Sequence, residues 1–437
     1  MNKEEYLQTL IEQIRCKNVR NPIKKEIENH IEDQMETYIE QGMSYENAQI
    51  EALKDMGDPV ETGIALDQIH RPKLPWKEMI IIGIFALTGM FLQYFLQKYF
   101  QVDTYSPEDN VKKQLIFFII SYSLMIGICY FDYTWIGRYG KEIMIFLSVG
   151  ILIGRQLWGA AINGATKWIV VGSVSFSIPM LLLLNVPLYA SILYSYRGQK
   201  YKAIIKSIFW MMPSMFLSLL CRSYYTIIIL LFTYTILLTI AILKKWYAIQ
   251  RKLTLGALWG TLLTLPILVS LGITNYQMQR LERLFNPSNS LERIKAFVSG
   301  TYVGSAVIDN IYLPLEDYIL TYSITYYGMF AVTLIFVLLS MLFVHLLCIS
   351  LNQKNQMGMI MGTGCSIVFI LEFGIYVLDN MGILFIGSTY CPFLTYGGGG
   401  MMVTFMLLGI ILSVYRYENV FPEQSGRKRV SIKIMIE

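Results

Sequence analysis

Long apolar stretches separated by short polar ones make up most of the chain after residue 75. Several of these stretches run for about 18–25 residues, the length that a helix needs to cross ~30 Å of hydrocarbon. The pattern predicts about ten membrane-spanning helices, with boundaries accurate to a few residues. The predicted spans are 78–97, 114–132, 140–157, 176–196, 203–221, 224–243, 254–274, 318–349, 357–383 and 399–416.

Composition supports this interpretation. The chain is 54% hydrophobic and only 15% charged, whereas soluble domains carry about 25% charged residues. We therefore predict an all-α polytopic membrane protein. The net charge of +5 is modest and does not suggest nucleic acid as a partner. Six scattered cysteines and three histidines show no metal-ligand spacing, so the sequence names no metal ligand.

The first 74 residues differ from the rest because they are charged and have apolar positions at helical spacing. Asn21-Pro22, Ser44 and Asp58-Pro59 each look like a helix start. The segment 48–59 resembles the helical prefix domain found ahead of some bacterial permeases. We predict a small cytoplasmic helical domain that regulates or docks, the alternative being a solvated helical hairpin without a binding role.

Basic residues in the short loops predict the orientation of the chain in the membrane. They place the first domain and a C-terminal tail of residues 421–437 in the cytoplasm, on either side of a membrane domain at 75–420. Four loops then face outward, and the largest of them is polar. These loops are 98–113, 155–175, 275–317 and 384–398. The predicted location is the bacterial cytoplasmic membrane.

Charged residues on the predicted outer face are the candidates for chemistry. Each basic residue alone is typical of a solvated loop, but the set fits a diphosphate-bearing lipid. The basic candidates are Arg155, Lys167, Arg280, Arg293 and Lys295, and Arg222 and Arg283 lie on the same predicted face. Glu372 and Asp379 are seven residues apart on one face of a span, where carboxylates are functional candidates or a hydrogen-bonded structural pair.

Three segments carry a resemblance to a known family. Segment 163–169 is similar to a Gly-Ala-x-Arg-Trp-Ile element of that family. Segment 299–328 is similar to a glycine loop followed by Leu-Pro and Asp-Phe-Ile. Segment 392–398 is similar to the element Pro-Phe-Ser-Tyr-Gly-Gly. Together they resemble the SEDS family (shape, elongation, division and sporulation), which contains FtsW, RodA and SpoVE. The resemblance covers about residues 78–418 and implies a SEDS-type helical bundle.

The resemblance implies a function. Members of this family polymerise lipid II into glycan strands outside the membrane, beside a class B penicillin-binding protein that crosslinks them. Asp317 matches the position of the catalytic aspartate, and the substrate-binding candidates from the matching motifs are Ser299, Gly300, Tyr396 and Gly397. The leaving diphosphate needs compensating charge from arginine, lysine or a divalent cation such as Mg²⁺ or Mn²⁺.

The chain also departs from the family pattern. Leu181 and Leu184 stand where the family has a glutamate and a lysine. Replacing both members of a buried ion pair by apolar residues can be nearly neutral for the fold, but this pair borders the central cavity of the family. Two alternatives therefore stay beside the glycosyltransferase: a weakly active or inactive lipid II-binding scaffold, and a transporter of a lipid-linked precursor. The sequence does not distinguish elongation, division and sporulation.

Overall fold

The structure is a computed structural model that describes residues 1–100, 107–162, 165–172, 174–271, 315, 317–381, 383, 389–418 and 420. The chain divides into two compact units. The first contains Met1–Pro75 together with a segment that begins at Tyr415, and the second contains Trp76–Val414.

The first unit contains four helices. They are α1 (Lys3–Gln13), α2 (Lys17–Glu40), α3 (Tyr45–Asp55) and α4 (Pro59–His70). Their apolar positions meet in a small core in which Tyr6, Leu10 and Ala52 are fully buried. Two of the predicted helix starts are confirmed, because Ser44 and Asp58 both accept a hydrogen bond from the backbone of the helix that follows.

The predicted helix start at Asn21-Pro22 is wrong. Helix α2 begins at Lys17, and Pro22 lies inside it. The earlier start buries Val19 on the same helix as Ile23, which are 1% and 3% exposed. Burial of an apolar side chain contributes about 1.5–3 kcal/mol, which offsets much of the penalty of about 3 kcal/mol or more for proline inside a helix.

The second unit is built mainly from helices. In chain order they are α5 (Trp76–Phe100), α6 (Pro107–Tyr130), α7 (Tyr133–Arg138), α8 (Gly140–Trp158), α9 (Ile178–Leu183), α10 (Asn185–Ser195), α11 (Tyr201–Leu220), α12 (Tyr224–Leu243), α13 (Arg251–Leu271), α14 (Ile319–Tyr327), α15 (Met329–Leu351), α16 (Gln356–Asn380) and α17 (Gly398–Arg416). Three strands follow α8 as an antiparallel sheet in the order β1 (Gly159–Ile162), β2 (Ala165–Val171) and β3 (Val174–Ser177).

Within the described residues, eight helical segments are long and apolar enough to cross a membrane. They are α5, α6, α9 with α10, α11, α12, α15, α16 and α17. The other two predicted spans are also helical and correspond to α8 and α13. The span predicted at 318–349 is divided at Gly328, where φ is +85° and α14 gives way to α15.

Large apolar side chains cover the outside of these helices, as hydrocarbon requires. Phe330 on α15 and Phe209 on α11 are 74% and 67% exposed. Helices α16 and α17 are instead the most buried of the eight segments. The start of α17 lines the candidate cavity, and the end of α16 contacts the Asp317 turn.

Candidate functional site

A cavity of about 500 Å³ lies in the second unit. Five parts of the chain line it: the start of α6, strands β2 and β3 with the start of α9, the start of α12 at Ser223 and Tyr225, the turn at Asp317, and the segment 389–400. The first and last lining residues, Lys113 and Gly400, are 287 positions apart in sequence, so only the fold brings them together. The cavity is large enough to hold part of a small-molecule substrate.

Asp317 lines the cavity from the turn that precedes α14. Its backbone oxygen accepts a hydrogen bond of 3.2 Å from Nδ2 of Asn380 at the end of α16. Burial raises the pKa of the Asp317 carboxyl from its ordinary 3.8 to about 6. The nearby Asp379 raises this pKa further, and Lys167 opposes the shift. The carboxyl is therefore poised to exchange a proton near neutral pH.

Lys167 reaches the same cavity through an irregularity in the sheet. Ala160 pairs with Trp168 and Ala161 pairs with Thr166, so Lys167 is the extra residue of a β-bulge on β2. A bulge bends its strand and re-aims a side chain, and bulges are frequent beside active sites. Lys167 and Asp317 both line the cavity, so opposite charges share one wall. The Lys167 charge lowers the pKa of the Asp317 carboxyl.

Lys113 adds a second cation to the lining, from the first turns of α6. Lys113 is not among the site residues predicted from the sequence. The only signal was the pair Lys112-Lys113 at the start of an apolar run, which is also typical of an ordinary span boundary. Two lysines in one cavity supply the positive charge that a diphosphate requires.

The segment 389–397 forms a compact wall of the cavity. A hydrogen bond within the segment holds its turn together: the Cys391 amide donates to Oγ1 of Thr395 at 2.8 Å. Gly397 has φ of +148°, a conformation that L side chains rarely adopt. Tyr396 and Gly397 both line the cavity, as does Tyr390. The predicted motif at 392–398 therefore shapes the site.

The glycines that follow allow close packing of protein against protein. A Cβ atom at Gly398 would lie 2.5 Å from the ring of Phe117, and one at Gly400 would lie 2.5 Å from the ring of Tyr390. Real Cβ atoms do not come so close to another atom. These two glycines are therefore needed where α17 packs beneath the cavity wall.

The two intramembrane carboxylates have different surroundings. Asp379 is fully buried, and its Oδ2 accepts a hydrogen bond of 3.1 Å from Thr389, which lines the cavity. Glu372 is 1% exposed and lies near Tyr390 and Cys391, whose pKa values are raised first by burial and also by the Glu372 charge. Neither carboxylate belongs to the cavity lining, so substrate contact by either residue stays a prediction.

The remaining candidates do not meet at the cavity in the described part of the chain. Arg155 lies at the end of α8, where Nη2 donates to the Leu220 oxygen at 3.4 Å. It does not line the cavity, and its role stays a prediction. The other candidates lie outside the described residues. These are Arg280, Arg293, Lys295, Ser299 and Gly300.

The substituted ion-pair positions lie close to the cavity without lining it. Pro179 and Met180 of α9 belong to the lining, and Leu181 and Leu184 follow them as half-buried apolar residues. Because the glutamate and the lysine of the family pattern are both replaced by leucine, no single charge is left without its partner in the interior. The fold is thus compatible with the substitution.

Comparisons with known proteins agree with this architecture. The model of the family described as "Cell cycle protein", FTSW_RODA_SPOVE, matches residues 76–420. A putative peptidoglycan glycosyltransferase FtsW of Mesostigma viride is 24% identical over 334 residues, which cover 70% of this chain and 75% of the relative. The stage V sporulation protein E of Bacillus subtilis is 25% identical over 361 residues, 78% of this chain and 96% of the relative.

Solved structures show the same fold. A chain from a structure described as a peptidoglycan synthase complex, with coordinated polymerization and crosslinking, matches with a TM-score of 0.66 and 17% identity. The match covers 78% of this chain and 98% of that chain. The rod shape determining protein RodA of Thermus thermophilus matches with a TM-score of 0.56 and 15% identity over 79% of this chain and 97% of that chain.

Proposed function

Because the chain belongs to the cell cycle protein family of FtsW, RodA and SpoVE, we propose that it is a peptidoglycan glycosyltransferase that polymerises lipid II. The observation that carries this proposal is a carboxyl, Asp317, in one cavity with Lys113 and Lys167. The names of the FtsW relatives describe the same activity for those proteins. The reaction takes place on the outer face of the cytoplasmic membrane in this proposal.

The chemistry assigns one role to Asp317. A sugar hydroxyl attacks the anomeric carbon of a glycosyl diphosphate, and the hydroxyl proton passes to the Asp317 carboxylate. The new carbon–oxygen bond forms as the bond to the diphosphate oxygen breaks, and the anomeric centre inverts. The diphosphate is already a good leaving group, so the second carboxylate of glycoside hydrolases is not needed.

The two lysines take the charge of the diphosphate. Lys113 and Lys167 line the cavity from α6 and β2, and cations stabilise negative charge as it develops on a leaving group. Tyr396 and Gly397 belong to the same lining. Arg155, Glu372 and Asp379 do not need to touch the substrate in this arrangement.

A divalent cation stays a proposal. The described residues contain no group of three or more His, Cys, Asp or Glu side chains that could hold a metal. Mg²⁺ commonly enters an active site bound to substrate phosphates. We therefore propose that any cation arrives with the diphosphate, and a chelator should then lower the rate without changing the melting temperature of the protein alone.

A lipid II-binding scaffold is the second candidate. The observation that favours it is the apolar pair Leu181 and Leu184 beside the cavity. A class B penicillin-binding protein is the proposed partner in either case. The support is the similar fold of a chain from a complex described as coordinating polymerization and crosslinking.

Incubation of labelled lipid II with the purified protein separates these two functions. Glycan chains on a gel, formed with or without the crosslinking partner, are the expected result. Lipid II that binds to a folded protein and is never converted, under any of these conditions, would reject the transferase and favour the scaffold.

A further inference from the structure

Asn380 joins three parts of the site. Its side chain is 1% exposed, and Nδ2 donates to the Asp317 oxygen at 3.2 Å and to the Tyr376 oxygen at 3.0 Å. Its Oδ1 accepts from the backbone amide of Thr321 at 3.3 Å and from the Thr321 hydroxyl at 3.2 Å. One amide therefore connects the end of α16 to the Asp317 turn and to the first turn of α14.

Asp379 precedes this amide and is fully buried. Its hydrogen bond from Thr389 would be accepted equally well by an asparagine oxygen. Asp379 stands next to Asn380, whose side chain holds the Asp317 turn. Its partner Thr389 lines the same cavity as Asp317. This placement brings a second carboxyl close to Asp317, and an ionised Asp379 acts on Asp317 as a like charge.

We propose that Asp379 and Asn380 are positioning residues for Asp317. Asn380 fixes the backbone of the catalytic turn, and Asp379 adds to the effect of burial by favouring the protonated Asp317 side chain through repulsion between like charges. This inference rests on the proposed function, in which Asp317 removes a proton from the acceptor sugar. It assigns roles to two residues that neither touch the substrate nor line the cavity.

The charged groups around Asp317 support the electrostatic role of Asp379. Besides burial, the charged groups that act on it are Asp379 on α16 and Lys167 on β2, and they act in opposite directions. Lys113 faces the same cavity from α6. Tyr318 and Tyr376 also lie near, and the raised pKa of Tyr318 keeps that side chain neutral near pH 7. Among the described residues, Asp379 is the negative charge that raises the pKa of Asp317. A general base whose pKa lies near the working pH is more effective than an aspartate with the ordinary pKa.

The pH profile of Asp379→Asn tests the electrostatic role. The asparagine keeps the shape and the acceptor for Thr389 but removes the charge. The midpoint of the acid limb should move to lower pH by about one unit, since a neighbouring like charge shifts a carboxyl by this order. Glu142→Gln, at the opposite end of α8 from the β-sheet, is the control, and its midpoint should equal that of the wild type. An unchanged or raised midpoint in Asp379→Asn would overturn the electrostatic role.

The kinetics of Asn380→Ala test the positioning role. The value of kcat should fall about tenfold or more, because misplacing a catalytic group by about 1 Å is this costly, while KM stays within about twofold. A raised KM with unchanged kcat would show that Asn380 binds substrate instead. If Asn380→Ala does not fold, Thr321→Val removes one of its hydrogen bonds and should lower kcat by a smaller factor with the same unchanged KM.

Stability measurements separate this inference from the proposed function. Because the pKa of Asp317 is raised in the folded state, ionisation makes the native state less stable as pH rises from about 4 to about 6. Asp317→Asn should therefore gain melting temperature relative to the wild type across this interval, and the gain should be smaller when Asp379→Asn is also present. Equal gains in both backgrounds would overturn the coupling, even in a protein with no transferase activity.

Discussion

Asp317 has the position and the pKa that a general base requires. It lines a cavity, and its backbone is held by the buried side chain of Asn380. Burial raises its pKa to about 6, with a smaller contribution from Asp379. An exposed aspartate with the ordinary value would be a much weaker base at neutral pH.

The pH dependence of transfer follows from this pKa. The rate at low substrate concentration should rise with pH and level off above about 6, because only the ionised Asp317 accepts a proton. We expect this limb in kcat/KM measured between about pH 5 and 8, where the free enzyme titrates. A limb with its midpoint near 4, the value for an ordinary aspartate, would contradict the assigned environment.

The lysines of the cavity give a second prediction. Lys113→Gln should raise KM for lipid II by about tenfold, because a charge-assisted contact to phosphate contributes about 1.5–3 kcal/mol. The matched control is Lys112→Gln, since Lys112 is exposed and pairs only weakly with Asp109 at 3.6 Å. Equal changes in the two variants would remove Lys113 from the site.

These residues differ in how far the sequence could reveal them. Asp317, Lys167 and Tyr396 belong to segments with a family resemblance, and all three line the cavity. Lys113 and Asn380 could not be predicted, because their relevance comes from contacts across more than 60 positions of the chain. A charge at a span end and an amide inside a span are common in membrane proteins of every function, so neither pattern indicates a site.

At the scale of elements, the cavity depends on irregular backbone between regular helices. The β-bulge at Lys167 and the turn at Asp317 direct charged groups inward. The segment 389–397 adds Phe393 with φ of +70° and Gly397 with φ of +148°. Glycine adopts a positive φ without a steric penalty. At Phe393 the positive φ costs free energy, and it persists because the surrounding packing enforces it, as is frequent at functional sites.

The close packing of α17 gives a prediction about stability. Gly400→Ala should destabilise the protein by about 1–3 kcal/mol, because the new methyl group would meet the ring of Tyr390. That ring cannot easily move, since it is buried and its hydroxyl pairs with Thr404 at 3.2 Å. Thermal unfolding in detergent measures the effect.

Gly374→Ala is the control for this substitution. Gly374 lies inside α16, and a Cβ atom there would meet nothing within 4 Å. Alanine is the better helix former by about 1 kcal/mol, so this variant should unfold at the same or a higher temperature. A loss of stability as large as that of Gly400→Ala would contradict the packing argument.

Hydropathy predicted the helices well and the sheet not at all. The predicted spans at 78–97 and 224–243 correspond to α5 and α12. The predicted outer loop at 155–175 contains most of the three-stranded sheet. Strands β1 and β3 have four residues each, which is too short for alternation to be distinguished from an ordinary loop.

At the scale of the whole molecule, the chain contains a membrane unit that carries the site and a separate helical unit at its start. The division falls between Pro75 and Trp76, close to the boundary predicted from charge and hydropathy. The orientation of the termini and the role of the first unit stay predictions. Regulation or docking by the first unit would be consistent with its helical core.

Cysteine labelling tests the predicted orientation. In a background without native cysteines, Glu108→Cys should react with a maleimide that cannot cross the membrane of intact protoplasts. Lys200→Cys should react only after the membrane is permeabilised, because it lies in a loop that the basic residues place in the cytoplasm. The reverse pattern would invert the molecule and would put the cavity on the wrong side for lipid II polymerisation.

The central claim is that the Asp317 carboxylate carries out glycosyl transfer. The most direct measurement compares polymerisation of labelled lipid II by the wild type and by Asp317→Asn, with binding of lipid II measured in parallel. The account predicts glycan chains from the wild type, and a loss of at least about 100-fold in the variant, with binding preserved. Chains formed at a similar rate by Asp317→Asn would show that another group removes the proton and would contradict the account.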